Sequence, residues 1–286
     1  MIILDLQQIM ISNLLMSLNK IDGEINEDFI RHMILNSIRA NKTKMSKYGE
    51  LVIACDSRNS WRKQLFPYYK ANRKASREAS ALNWPKIFEI LNNIREELKV
   101  NFQYRVIHVD TAEADDIIAT LARRFAKEAV VDSEMIIIVS GDKDFKQLHY
   151  LPDVYQYDPV RKKFVHEQNP QNFIIEHIIK GDPGDGIPNV LSDDDTFVKG
   201  IRQHRISKKR MEEWKTDINW NKSIPSKIER NYKRNQMLID LNHVPFDIQE
   251  SIIKEYDAQG GKDRSKIMNY FIQKKLKYLM ESINEF

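Results

Sequence analysis

Residues 135–145 read Met-Ile-Ile-Ile-Val-Ser-Gly-Asp-Lys-Asp-Phe, an apolar run that ends at two aspartates. The run is rich in isoleucine and does not alternate with polar residues, which predicts a strand buried on both faces, as in a parallel sheet. Three further runs of this kind are Ile2 to Leu4, Leu51 to Cys55 and Arg105 to Val109. Together the four runs predict a parallel sheet.

Amphipathic helical patterns separate the strand-like runs. They cover Gln8 to Leu18, Glu27 to Ala40, Trp84 to Leu98 and Ala114 to Ala126. Strands and helices in alternation predict a doubly wound α/β fold with right-handed crossovers. Before the third helix, Asn83 is the expected N-cap and Pro85 the expected first-turn residue.

The rest of the chain is predicted to be mostly helical. Asp153 to His166 can add a hairpin to the sheet, and helical patterns continue from about Phe173. A soft boundary near residue 170 divides an α/β part, residues 1–170, from a helical part, residues 171–286, that packs on it.

The composition limits the classes of protein to which the chain can belong. With 42% apolar and 30% charged residues, the 286-residue chain is typical of a folded, charge-rich globular protein. No apolar run approaches the ~18 residues of a membrane span, and no signal-peptide pattern opens the chain. Its one cysteine, Cys55, excludes an intramolecular disulfide. The expected location is the cytoplasm, with no membrane contact.

Acidic residues follow every strand-like run. They are Asp5, Asp56, Asp110, Glu113, Asp115, Asp116, Asp142 and Asp144. A single aspartate there is more often a turn former or a helix cap, and Asp110 and Asp116 also fit that interpretation. The coincidence across four strands favours a shared site, because ligands of open parallel sheets bind beyond the carboxyl ends of the strands.

Carboxylates gathered in this way need positive charge. Two like charges 4 Å apart repel by roughly 4 kcal/mol at an effective dielectric near 20. Oxygen ligands favour Mg²⁺ or Mn²⁺, and so many carboxylates suggest two ions, ~3.5–4 Å apart in two-metal phosphoryl sites.

A turning loop carries further aspartates. It reads Gly181-Asp182-Pro183-Gly184-Asp185-Gly186-Ile187-Pro188. Its glycines and prolines force a sharp turn. Either Asp182 and Asp185 are solvated at the surface, or they join the same metal ions; composition leaves both open.

Two basic stretches are candidates for nucleic-acid contact. From Ser57 to Arg77 there are seven basic residues and no acidic one, interleaved with aromatic residues. The basic residues are Arg58, Arg62, Lys63, Lys70, Arg73, Lys74 and Arg77, and the aromatic ones are Trp61, Phe66, Tyr68 and Tyr69. Phosphates attract such clusters through counterion release, and aromatic rings can stack on unpaired bases. The alternative is a solvated basic helix with its aromatic residues in the core.

The second stretch, Lys199 to Arg234, has twelve basic and four acidic residues. Its densest part is Arg205, Lys208, Lys209 and Arg210. These residues either contact duplex backbone or form a solvated face.

The motifs together resemble the 5′ nuclease family, which includes flap endonucleases and the 5′-nuclease domains of bacterial DNA polymerases. The motifs are Asp5, Asp56, Glu113-Ala114-Asp115-Asp116, Ser140-Gly141-Asp142-Lys143-Asp144-Phe145 and the Gly181–Pro188 loop. Within the family, the likeness is nearest to the ribonuclease H branch of T-even bacteriophages. It extends through Trp61-Arg62, Tyr68-Tyr69-Lys70, Asn72-Arg73 and the C-terminal Ser282-Ile283-Asn284-Glu285-Phe286.

The resemblance implies a PIN-like parallel-sheet core with two Mg²⁺, which Mn²⁺ can replace. A helical arch or bridge would stand at Ser57 to Arg77, and a helix-hairpin-helix-like element at the Gly181 loop. The implied first-metal ligands are Asp5, Asp56, Asp115 and Asp142. The implied second-metal ligands are Glu113, Asp144, Asp182 and Asp185. Arg62 and Lys70 would steady the scissile phosphate, and Arg58, Lys63, Arg73 and Lys74 would contact nucleic acid.

The sequence departs from the family at two points. The family loop usually reads Gly-Asp-x-x-Asp-Asn-Ile-Pro-Gly-Val, whereas Gly186 replaces the asparagine here and Asn189 the second glycine. The grip of the Gly181–Val190 loop on duplex DNA, and any monovalent-ion site there, therefore stay open. The chain also begins almost at its first strand, so docking to a sliding clamp is not expected.

The resemblance implies 5′-to-3′ exonuclease and flap endonuclease action on RNA primers and adjacent DNA in phage lagging-strand replication. RNA–DNA hybrids and flap or forked DNA would be substrates, a phage single-stranded-DNA-binding protein a further partner, and the monomer the expected state. A haloacid-dehalogenase-type phosphatase is a rival, but it needs an aspartate where Gln7 stands. A non-catalytic DNA-junction binder is the other rival, although the carboxylate set is complete.

Overall fold

The protein is described by a computed structural model that covers residues 1–18, 26–80, 82–128, 135–216 and 225–286. Its centre is a six-stranded sheet in the order β3-β2-β1-β4-β5-β6. The strands are β1 (Ile2–Asp5), β2 (Leu51–Ala54), β3 (Arg105–Ile107), β4 (Ile136–Val139), β5 (Val154–Asp158) and β6 (Lys163–Val165). The first five are parallel, and β6 runs antiparallel to β5. The predicted parallel sheet and its added hairpin are both confirmed.

The α-helices of the described ranges follow the predicted alternation. They are α1 (Leu6–Leu18), α2 (Glu27–Lys44), α3 (Arg62–Leu65), α4 (Asn72–Glu78), α5 (Trp84–Asn101), α6 (Ala114–Glu128), α7 (Pro170–Lys180), α8 (Lys208–Thr216), α9 (Ser226–Ile239), α10 (Phe246–Ala258), α11 (Ile267–Gln273) and α12 (Lys277–Met280). Asn83 caps α5 as predicted, because its side chain accepts a hydrogen bond from the Lys86 amide.

Both faces of the sheet are covered by helices, which explains why apolar and polar residues do not alternate along the strands. In β1, Ile2 and Leu4 pack into one hydrophobic cluster with α1, α2 and α5. Ile3 faces the opposite cluster, which α6 and α10 complete. Every position of such a strand is buried, so every position is apolar.

Residues beyond 170 contribute to both clusters. Phe271 and Phe286 pack with the α1 side of the sheet, and Ile248 and Ile252 pack with the α6 side. The helical part therefore packs on the sheet as an extension. The division at residue 170 stays a prediction, because the two cores run across it. In the described ranges, no helix is both long and apolar enough to cross a bilayer.

Candidate metal centre

Carboxylates from neighbouring strand ends converge at one edge of the sheet. Asp5 ends β1 beside Ala54, Asp56 follows β2 by two residues, and Asp142 follows β4 by three. Local hydrogen bonds orient the side chains. The Gln8 amide and the Ser140 hydroxyl donate to Asp5, and the Ala114 amide donates to Asp56 at 2.6 Å.

Two more groups of carboxylates approach from other elements. Glu113 and Asp115 lie at the start of α6. Asp144 lies in the first turn of a 3₁₀ helix, where its amide donates a hydrogen bond to Asp142. Four carboxylates line one pocket beside these strand ends. They are Asp115, Asp144, Asp182 and Asp185. The structure thus brings the two aspartates of the Gly181 loop to Asp115 and Asp144 instead of leaving them in solvent.

Four of these carboxylates have a raised pKa, because burial and neighbouring carboxylates outweigh the cations near them. Burial, then the nearby Asp56, raises the pKa of Asp5 from 3.8 to about 7. Burial and Asp142 raise the pKa of Asp144 to about 6. The pKa of Asp56 is raised mainly by burial, and that of Asp115 by burial and then Asp142. Carboxylates that are buried close to one another fit hard divalent cations, because the charge of the cations would offset the repulsion between the carboxylates.

Glu113 and Asp185 are paired with cations of the bridge. Lys70 contacts Glu113 at 2.6 Å and Arg62 contacts it at 3.1 Å. Burial alone would raise the pKa of Glu113, but these two cations outweigh it and lower the pKa to about 2. Asp185 lies 3.7 Å from Lys70 and also pairs with Arg73. Ligation of a metal ion by Glu113 and Asp185 stays a prediction. It requires the side-chain cations next to them to move away, or to share these carboxylates with the metal ion.

Arg62, a predicted phosphate contact, lines this pocket but is held by buried partners. It is 2% exposed, and its Nη2 contacts Asp116 at 2.7 Å while Nε donates to the Leu238 carbonyl. Asp116, itself fully buried, also accepts from the Trp61 indole. The guanidinium is therefore occupied by buried partners, and its contact with the scissile phosphate stays a prediction.

The aromatic residues of the bridge are also placed differently from the stacking prediction. Trp61, Phe66 and Tyr69 are buried in the hydrophobic clusters, and only Tyr68 is half-exposed. The prediction that they offer stacking faces is wrong for the three buried rings. They anchor the bridge, because their burial removes apolar surface from water.

The bridge docks directly on the Gly181 loop. The Lys70 amide donates to the Asp185 carbonyl at 2.7 Å, and Asn72 Nδ2 donates to the Pro183 carbonyl at 2.8 Å. Gly186 has φ +71°, and a Cβ there would lie 3.0 Å from the Tyr68 carbonyl oxygen. Glycine in place of the family's asparagine therefore permits this close approach.

The structure also explains the second departure of the Gly181 loop from the family pattern, which is Asn189 in place of a glycine. Asn189 donates through Nδ2 to the His204 carbonyl and accepts from the Leu191 amide. Its side chain thus ties the loop to the segment that leads into α8. A glycine at this position would lose both hydrogen bonds.

The remaining predicted nucleic-acid contacts lie at the surface. All eight are exposed, namely Arg58, Lys63, Arg73, Lys74, Arg205, Lys208, Lys209 and Arg210. Arg73 pairs with Asp185, and Lys74 and Lys209 lie near glutamates of their own helices. Asp110 is exposed and accepts from Ser57, which agrees with its exclusion from the metal site.

Sequence reasoning missed His177 and the role of Lys143. His177, in the last turn of α7, lies between Asp144 and Asp182, and Lys143 contacts all three. A histidine four residues before the turning loop was the one available signal. It was not sufficient, because spacing along a helix does not say which face meets the acids.

The raised pKa of Asp5 predicts how pH affects the metal-free protein. Its folded pKa of about 7 lies above its ordinary value of 3.8, so the folded state holds this proton more tightly. The stability that the folded state gains from this tighter proton binding is fully present below about pH 4, and it is lost as the pH rises towards 7. We expect the melting temperature in EDTA to fall from pH 5 to pH 7.5, and to fall less in Asp5→Asn. Equal slopes for both proteins would contradict the buried, repelled state of Asp5.

The comparisons with known proteins cover nearly the whole chain. One family model, described as 5′-3′ exonuclease, N-terminal resolvase-like domain, matches residues 18–176, and another, described as T4 RNase H, C terminal, matches residues 169–286. Ribonuclease H of Enterobacteria phage T4 is 36% identical over 295 residues, which cover 99% of this chain and 95% of that protein. Flap endonuclease Xni of Shewanella sp. (strain ANA-3) is 35% identical over 139 residues, 46% of this chain and 48% of that protein.

Solved structures agree on the fold. The bacteriophage T5 flap endonuclease, in a pseudo-enzyme-product complex with DNA and metal ions, matches with a TM-score of 0.63 and 17% identity, covering 91% of this chain and 99% of that chain. T5 5′-exonuclease with bound zinc matches with a TM-score of 0.61 and 16% identity, covering 91% and 97%. With its two family matches and its full-length relative, the chain belongs to the metal-binding 5′–3′ exonuclease family of phosphodiester-hydrolysing nucleases.

Proposed function

We propose that the chain is a Mg²⁺-dependent 5′-to-3′ exonuclease and flap endonuclease that removes RNA primers and adjacent DNA in phage lagging-strand replication. The observation that carries this proposal is the pocket in which Asp115 and Asp144 meet the aspartates of the Gly181 loop, beside the cations of the bridge. Its substrates would be RNA–DNA hybrids and flap or forked DNA, and it would act as a monomer in the host cytoplasm. A phage single-stranded-DNA-binding protein is a further proposed partner.

Two divalent cations, when bound, would supply Lewis acidity and lower the pKa of the attacking water. Asp5, Asp56, Asp115 and Asp142 would hold one of them. Glu113, Asp144, Asp182 and Asp185 would hold the other. The donor set fits this chemistry, because it is rich in carboxylate oxygens and Asp5, Asp115 and Asp144 have raised pKa values. Mn²⁺ would substitute for Mg²⁺.

Lys70 is the cation of the bridge best placed to act on the phosphate. Its ammonium lies between Glu113 and Asp185, at the rim of the carboxylate cluster, and its side chain is partly exposed. Burial alone would lower its pKa, but the two carboxylates outweigh burial and raise it, so Lys70 carries its charge. A fixed charge at this point would stabilise the negative charge that develops as the phosphodiester bond breaks.

A labelled flap duplex and an RNA–DNA hybrid would test the proposal. With Mg²⁺ we expect release of short products from the 5′ end and cutting near the flap junction; with EDTA we expect binding without cleavage. Binding without cleavage in both conditions would instead support the non-catalytic junction binder.

Substitution of Lys70 would test its role in the chemical step. We expect Lys70→Ala to lower the single-turnover rate by about a hundredfold and to weaken binding by less than about threefold. Lys254→Ala, an exposed change on α10 outside the predicted contacts, is the control that should leave the rate near wild type. An unchanged rate with weaker affinity would make Lys70 an ordinary backbone contact.

The second basic region would be tested by salt dependence. Neutralising Arg205, Lys208, Lys209 and Arg210 together should weaken binding similarly for every duplex sequence, because phosphate contacts carry no sequence information. The slope of log affinity against log salt should flatten by about 0.9 per lost contact. Parallel lines for wild type and variant would mean that these residues form a solvated face.

A further inference from the structure

His177 presents both ring nitrogens to carboxylates of the metal centre. Nδ1 is 3.4 Å from Asp144 Oδ1, and Nε2 is 3.2 Å from Asp182 Oδ2. The side chain is 7% exposed, and Nδ1 has no hydrogen-bond partner among the described residues. A histidine with a purely structural role would be expected to satisfy both nitrogens, since an unpaired buried polar atom costs free energy. The ring is instead aimed into the acidic cluster.

The three side chains are spaced for one cation. A ligand atom from each of Asp144, His177 and Asp182 lies within 4.8 Å of the other two. Ligands on opposite sides of an ion, each at about 2.1 Å, are about 4.2 Å apart. The three atoms therefore need only a small contraction to bind the same ion.

The Lys143 ammonium occupies the point that these ligands share. Its Nζ is 3.0 Å from His177 Nε2, 3.4 Å from Asp144 Oδ1 and 2.5 Å from Asp182 Oδ2. Contact with all three groups shows that the arrangement binds a positive charge. The Lys143 side chain is 53% exposed, so it can turn into solvent when another cation replaces it.

We propose that His177 is a nitrogen ligand of the second cation, together with Asp144 and Asp182, and that Lys143 holds this position until the cation displaces it. The inference deepens the proposed function and rests on its second cation. An imidazole nitrogen binds first-row transition ions better than Mg²⁺, which prefers oxygen donors. The second site therefore favours Mn²⁺ or Co²⁺ over Mg²⁺, more strongly than the all-carboxylate first site does.

Mn²⁺ is the probe for this proposal, because its electron spin reports directly on nitrogen ligands. We expect pulsed electron paramagnetic resonance of the protein saturated with Mn²⁺, without DNA, to show coupling to one ¹⁴N nucleus. The coupling should disappear in His177→Asn, which keeps a hydrogen-bonding side chain but has no imidazole. It should remain in His243→Asn, the matched control, whose ring lies 3.8 Å from Asp240 at the surface.

Calorimetric titration would measure affinity at the same site. We expect His177→Asn to weaken the second Mn²⁺ by about tenfold and Mg²⁺ by less than about threefold. Lys143→Met should tighten both ions by about tenfold, because the competing ammonium is removed. Lys143→Met also keeps the proposal testable if His177→Asn does not fold, as judged by circular dichroism.

The outcomes separate this inference from the nuclease proposal. Two bound Mn²⁺ without ¹⁴N coupling, or a coupling that persists in His177→Asn, would overturn nitrogen ligation and leave the two-ion nuclease intact. Unchanged or weaker binding in Lys143→Met would overturn the displacement of Lys143 by the cation. Coupling lost in His177→Asn, in a protein that cleaves no substrate, would support the site and contradict the nuclease function.

Discussion

Asp142→Asn is expected to slow cleavage of a flap duplex by about a thousandfold or more, with DNA binding unchanged or tighter. Asp142 lies where the strand-end aspartates meet, and its charge contributes to the raised pKa of Asp5, Asp115 and Asp144. Removing that charge removes part of the attraction for the first cation. Binding should not suffer, because one charge that repels phosphate is also removed.

Asparagine is the informative replacement because it preserves the local structure. Asp142 Oδ1 accepts from the Asp144 amide at 2.9 Å and so begins the 3₁₀ turn. The asparagine carbonyl oxygen can accept the same hydrogen bond, and the melting temperature should change little. The measurement is the single-turnover rate in saturating Mg²⁺. Cleavage within tenfold of wild type would remove Asp142 from the proposed ligands.

The sheet and the convergence of acids could be predicted because both depend on local pattern. An apolar run without alternation, such as Ile136–Val139, has to be buried on both faces. Acids that follow several parallel strands have to share one edge of the sheet. The cap at Asn83 follows from residue type and position in the same way.

The pairing of charges could not be predicted, because it depends on contacts distant in sequence. Arg62 meets Asp116 across 54 residues, and His177 meets Lys143 across 34. A stretch that mixes basic and aromatic residues looks the same whether its rings face nucleic acid or the core. Only the fold shows that Trp61 and Phe66 are anchors and that Arg62 is enclosed by acids.

This enclosure predicts the largest loss of stability from a single substitution in the bridge. Arg62→Met would leave Asp116, which is fully buried, without its cation, and Glu113 with one cation fewer. Breaking a buried ion pair by removing one partner costs about 3–5 kcal/mol. We therefore expect the free energy of unfolding in urea to fall by that amount. The exposed Arg58→Met is the control, with an expected change near zero.

A double-substitution cycle would assign the loss to the Arg62–Asp116 pair. If the guanidinium serves mainly to neutralise Asp116, then Arg62→Met combined with Asp116→Asn should lose less than the sum of the two single changes, by about 2–3 kcal/mol. A residue that acts on the scissile phosphate would behave differently, since its removal would slow cleavage without affecting unfolding. A stable Arg62→Met protein with a slow chemical step would therefore restore Arg62 to the phosphate. A destabilised one, coupled to Asp116, would establish that the arginine holds the bridge against α6 through this buried ion pair.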